Sequence, residues 1–205
     1  MVALPMIGEV RNSYHHGHLR ETLLQAADRL IEAQGVRNLS VRELARDCGV
    51  SHTSVQRHFA DKHAMLIEVA RRGFDRLGAA FREAGANSSE GFGRRLTRLA
   101  QAHVDFGLRH PAVMRWMFEA ASWPDAPTAL LTARDEALAP AAVILKAGQA
   151  SGEVVEGEPE RLGLASFAAI QGLVAMSVDG KFGGHPLDAL VSEIIERIIL
   201  GLKPR

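Results

Sequence analysis

The stretch Leu162 to Val178, LGLASFAAIQGLVAMSV, carries no charged residue. A helix that is apolar on every side must be covered on every side, by protein or by lipid. A membrane span needs about 20 apolar residues, and this stretch is shorter and includes Gln171, Ser166 and Ser177. The expectation is a buried helix in a chain with no membrane partner. No sustained period-two alternation rich in Val, Ile and Thr runs through the sequence, so no sheet is expected. The fold class is all-α, in 205 residues that suit one compact domain or two small ones in intimate contact.

The helix boundaries follow from capping chemistry. Leu19, Leu23, Ala26, Ala27, Leu30 and Ile31 recur at helical spacing in a first helix from about His18 to Gln34, and Gly35 stands where a C-terminal glycine belongs. Ser40-Val-Arg-Glu43 reads as a capping box, the Ser40 hydroxyl taking an amide and Glu43 reaching back. It opens a second helix that Gly49 breaks. Ser51 is the natural N-cap of a third helix and Asp61 of a fourth, which is expected to run to about Gly78 with Met65, Leu66, Val69 and Phe74 inward. Gly85 to Gly91 is loop-like and marks a candidate boundary. Further helices are expected from Phe92 to Arg109, from Pro111, from Thr128 to Ala150 with a kink at Pro140, from Pro159 to near Asp179, and from Pro186 to Leu202.

The second and third helices form a tight pair around Gly49. On a helical wheel Val55 and Phe59 face the core, Thr53 and Arg57 lie opposite, Ser54 and Gln56 flank them, and His52 projects from the N-terminal end. In DNA-binding pairs of this kind the second helix enters the major groove. Arg57 and Gln56 have the donor geometry for guanine and adenine edges. The hydroxyls and Lys62 suit phosphates. A solvated helix face is the plain alternative. Lys plus Arg equals Asp plus Glu, 24 each, so any contact with nucleic acid must come from local arrangement and not from a global field.

Three stretches, YHHGHLRETLLQAADRLIEAQG, LSVRELARDCGVS and SVQRHFADKHAML, make residues 14–69 resemble the TetR family of bacterial transcriptional repressors. The resemblance implies a three-helix DNA-binding bundle with a helix-turn-helix over 14–62. It also implies a larger helical ligand-binding and dimerisation domain over 63–205, with the helix over 61–78 as connector. It places Ser40, Arg42 and Lys62 on phosphates, His52, Thr53, Ser54 and Arg57 at or near base edges, and His58 beside the backbone. The family often has Gly where this chain has Thr53 and Tyr where it has Gln56. Operator preference is expected to differ at those positions.

His15, His16, His18, His52, His58 and His63 crowd the N-terminal part, but without an i, i+4 pair and a carboxylate partner they do not form a metal set. Cys48, the one cysteine, forbids an internal disulfide and suits a reducing, cytoplasmic compartment. The N-terminal residues lack the pattern of a secretory signal.

Phe106, Met114, Trp116, Met117, Phe118 and Trp123 concentrate aromatic and thioether groups. Ordinary core is one reading and an apolar ligand pocket the other. Candidate pocket residues are His103, Phe106, Trp116, Met117, Phe167 and Gln171, with Arg115 and Glu119 as further polar candidates. HPAVMRWMFE and FAAIQGLVAMSVDG also resemble a regulatory-domain class named for a Trp-His-Gly signature, with Phe167 near the Trp position, Gln171 at the His and Gly172 at the Gly. The uncharged helix and the Ile-rich last helix are expected to form a four-helix dimer interface through Ala168, Gly172, Ala175, Leu190, Ile194 and Ile198. The function expected is a ligand-responsive repressor that binds a palindromic operator in double-stranded DNA as a homodimer and is released by a small, largely apolar effector. No nucleophile with a paired base, carboxylate pair or phosphate loop is evident, so neither enzyme activity nor a cofactor is expected. An all-helical enzyme or a protein-interaction module with an apolar pocket is the alternative.

Overall fold

A computed structural model describes residues 18–86, 89–181 and 186–204. Tyr14, His15 and His16 lie outside the described residues. The described residues form helices α1 (Leu19–Gln34), α2 (Val41–Asp47), α3 (His52–Gln56), α4 (Lys62–Gly85), α5 (Phe92–Arg109), α6 (Pro111–Ala120), α7 (Thr128–Ala150), α8 (Pro159–Val178) and α9 (Leu187–Leu202), with a 3-10 turn at Val36–Asn38. No strand occurs among them.

The caps are local chemistry and largely form as the sequence predicts. Ser51 Oγ accepts from Ser54 N at 3.1 Å, and Asp61 Oδ1 accepts from Ala64 N at 2.7 Å. Pro111 and Pro159 open α6 and α8. The capping box at α2 forms only in half. Ser40 Oγ accepts from Glu43 N at 3.4 Å, but the Glu43 carboxylate turns to Gln34 Nε2 at 3.1 Å and does not reach back.

Helix α4 corrects a second expectation, because it passes Gly78 and ends at Gly85. A Cβ at Gly78 would stand 2.9 Å from Ala137 Cα and 3.3 Å from its Cβ. Gly78 is therefore a point of close approach between α4 and α7, not a helix stop. Pro140 lies inside α7, which continues through it.

Two groups of helices share α4. Leu23, Ala27, Ile31, Leu44, Val55 and Phe59 make the core of a small head built from α1, α2 and α3. Met65, Leu66 and Val69, near the start of α4, are buried with them. The rest of α4 packs on α5, α6 and α7, and α8 packs on α5, α7 and α9. By length and composition α8 qualifies as a membrane span. It nevertheless turns Ser166, Ile170, Leu173 and Val174 into the bundle. Its opposite side, with Leu164, Ala165, Ala168, Ala169, Gly172, Ala175 and Met176, is exposed.

Candidate nucleic-acid interface and internal cavity

The head is built to present one short helix. Gly49, at φ 66°, supplies the left-handed residue that lets α2 turn tightly into α3. Val55 and Phe59 are buried and fix α3 from below. The Arg20 guanidinium lies 5.2 Å from the centre of the Phe59 ring and also pairs with Glu68 at 3.1 Å, tying α1 over the anchor. His52, Thr53, Gln56 and Arg57 are exposed together on the outer side, with Ser54 and His58 half-buried at the flanks. The Ser54 hydroxyl is engaged with Ser51 Oγ at 2.9 Å. Arg42 is exposed on α2 and Ser40 is half-buried as its cap. Lys62 Nζ donates to the backbone oxygen of Arg37 at 3.1 Å, so this cation is held beside the 3-10 turn. Cys48 is buried under α2, and burial pushes its thiol up.

Inside the body, α4, α5, α7 and α8 line a narrow, partly open cavity of about 50 Å³. Phe81, Leu99, His103, Leu138, Leu145 and Phe167 are among its walls. His103 is 2 % exposed and its Nε2 lies 2.7 Å from Oε1 of Gln171 on α8. Burial pushes the imidazole down to about 4, against the smaller opposite effect of the Gln171 hydrogen bond, so His103 is neutral at physiological pH.

Of the six pocket residues expected from sequence, His103 and Phe167 line this cavity, and Gln171 stands behind His103, bonded to it. The other three lie elsewhere. Phe106 meets the His110 ring at a tilt, centres 5.2 Å apart, and lies under Arg76. Met117 packs where a Cβ on Gly73 would meet its sulfur at 2.7 Å. Trp116 Nε1 donates to Leu66 O at 2.8 Å, and its ring meets Trp123, which stacks on His63. Arg115 and Glu119 lie on α6, both exposed, in a crevice against the 3-10 turn of the head.

Two connections between head and body escape sequence reasoning. Glu32, on α1, accepts from the backbone amides of Ala112 and Val113 at 3.0 Å each. Asp28 pairs with Arg76 at 3.1 Å, and burial holds its carboxyl above the ordinary range despite Arg76 and Arg72. Both carboxylates sit four residues apart on one turn of α1, and Glu32 meets residues some 80 positions downstream. Sequence spacing carries no trace of that partnership.

An aromatic series joins the cavity to the body's centre. Phe167 lies 5.3 Å from both His103 and Phe118, and Phe118 meets Phe74 of α4 edge-on at 5.2 Å.

Comparison with known proteins agrees with this architecture. A family profile described as "Bacterial regulatory proteins, tetR family" matches residues 23–69, and one described as "Tetracyclin repressor-like, C-terminal domain" matches residues 96–202. A protein of unknown function from Rhodococcus sp. RHA1 is 33% identical, with 94% of this chain and 100% of that chain covered and a TM-score of 0.87. The TetR family transcriptional regulator PfmR from Thermus thermophilus shares the fold at 21% identity, covering 89% and 99%, with a TM-score of 0.69. A TetR family transcription regulator from Marinobacter aquaeolei does so at 19% identity, covering 91% and 96%, with a TM-score of 0.74. No curated protein matches the chain. The helix-turn-helix head, the helical body and both profile matches place this chain in the TetR family, as a DNA-binding transcriptional regulator.

Proposed function

We propose that the chain is a ligand-responsive repressor that binds a palindromic operator as a homodimer and is released by a small molecule. Ser40, Arg42, His58 and Lys62 position the head on phosphates, while His52, Thr53, Ser54, Gln56 and Arg57 face base edges. A Lys62 on DNA would exchange its bond to Arg37 O for a phosphate.

The observation that carries this reading is the reach of α4. In its first turn Lys62 and Met65 share a crevice with His52, Val55 and Gln56 of the recognition helix, and Phe81 near its other end walls the cavity. With 24 residues the helix spans about 36 Å at about 1.5 Å per residue. A ligand that displaces Phe81 thus bears on the same rigid element that seats the head. Such a ligand acts only through its differential affinity for the two states, and a hundredfold difference is worth about 2.7 kcal/mol.

The dimer reading rests on the uncovered apolar side of α8. Leu164 is 66% and Met176 44% exposed, and on α9 Leu200 is 64% exposed. Ala168, Gly172 and Ala175 let a partner helix approach closely, flanked by half-buried Leu190, Ile194 and Ile198 of α9. A soluble, cytoplasmic dimer covers this face with its own copy. Static light scattering at micromolar concentration is expected to give twice the chain mass, and selection from random duplexes to recover an inverted repeat. A monomer mass, or recovery of only single half-sites, would contradict the proposal.

A further inference from the structure

The cavity wall offers hydrogen-bond acceptors and no charge. The amide oxygen of Gln171 can only accept, so the proton of neutral His103 resides on Nε2, 2.7 Å away. That leaves a lone pair on Nδ1, which has no hydrogen-bond partner among the described residues. The other polar group at the wall, Ser166, already gives its proton to the backbone oxygen of Leu162 at 3.3 Å. The remaining lining is aliphatic and aromatic.

We propose that the cavity takes a compact, uncharged, mostly apolar molecule with one hydrogen-bond donor, a phenol or an alcohol, whose hydroxyl donates to Nδ1 of His103. This rests on the reading of the cavity as the effector site and names the ligand class. A carboxylate would bring two more acceptors to a wall of acceptors. It would gain a partner only by protonating His103, which burial pushes down to about 4. An ammonium group would find no carboxylate at the wall. A ketone or ether would leave Nδ1 unpaired in an apolar site.

Size adds a second constraint. The space, about 50 Å³, is roughly a third of a dry protein cavity of about 150 Å³ that holds benzene. A single ring is fully seated only by moving a wall. Phe167 is half-buried, and it touches both His103 and Phe118, so its displacement is passed to α6 and α4. The ligand that fits the chemistry is thereby one that shifts the packing.

Calorimetric titration of the full chain without DNA tests this with four one-ring probes: phenol, toluene, benzaldehyde and benzoate. Phenol is expected to bind at least tenfold tighter than toluene or benzaldehyde, with no binding of benzoate. In His103→Phe the phenol preference is expected to vanish while toluene is retained. In Gln171→Leu, which frees the ring to reverse its tautomer, the gap between phenol and benzaldehyde is expected to narrow at least threefold. Toluene equal to phenol, benzaldehyde or benzoate tightest, or no probe bound would each overturn the proposal, and the wild-type ranking decides even if a variant fails to fold. No DNA is present, so a failure here is separate from a failure of operator binding, which is read on duplex alone.

Discussion

Glu32 and Val113, 81 residues apart in sequence, meet at 3.0 Å through a carboxylate and a backbone amide. Ala112 donates to the same carboxylate. The free amides of the first turn of a helix attract anions, and Pro111 leaves those of Ala112 and Val113 as the first available. One side chain of the head thus caps the helix that carries Trp116 and Phe118 in the body.

Glu32→Ala is expected to lower stability by about 1–3 kcal/mol, the usual cost of losing charged hydrogen bonds at a half-buried site. Glu32→Gln, which keeps one acceptor, should lose less. Urea denaturation compares them. An unchanged midpoint for Glu32→Ala would mean that solvent satisfies the α6 amides as well as the carboxylate does.

Arg57→Ala is expected to relax base preference at one or two operator positions, costing about 1–3 kcal/mol on the preferred duplex. Lys62→Ala is expected to weaken all duplexes alike and to lower the salt slope by about 1. Binding isotherms on a panel of single-base variants separate the two. Uniform loss in both mutants would remove Arg57 from the base-reading set.

Gly78→Ala places a methyl 2.9 Å from the backbone of Ala137, which has no rotamer to move aside. Overpacking costs typically about 1–3 kcal/mol, against about 1 kcal/mol regained in helix propensity. A net loss is expected, read as a lower melting temperature. A stabilised variant would mean that α7 can shift freely on α4.

His103 links stability to pH. Its ordinary value of 6.5 in the unfolded chain falls to about 4 in the fold, burial being the cause. Above pH 6.5 it is neutral in both states and its contribution is fully present. As pH falls from 6.5 toward about 4, the unfolded chain takes up a proton that the native chain refuses, so native stability is lost. The loss levels off once both are protonated, at roughly 3 kcal/mol. His103→Leu is expected to flatten this slope in urea melts between about pH 7.5 and 4.5. An identical slope in both proteins would place the titration elsewhere.

What was legible in the sequence was local. Ser51 and Asp61 announce helix starts because each accepts from an amide of its own first turn, and Pro111 and Pro159 because each has no N–H to leave unpaired there. The inward Val55 and Phe59 and the outward Thr53 and Arg57 follow from helix geometry alone. What depends on a partner helix was not legible. Gly78 looks like a stop until α7 is set against it, and Glu43 has a free choice between Ser40 and Gln34 until α1 is docked. The aromatic cluster was visible as a cluster. Which members face the cavity depends on the rotation of α5 and α6 in the bundle, and this turns Phe106, Trp116 and Met117 away from it.

Sequence-specific binding of duplex DNA by the exposed face of α3 is tested most directly by titrating a labelled duplex, recovered by selection, against its scrambled version at several salt concentrations. The expected result is a preference for the selected duplex of at least about a hundredfold, with affinity falling steeply as salt rises for both. Equal affinity for the two duplexes at every salt concentration would contradict it.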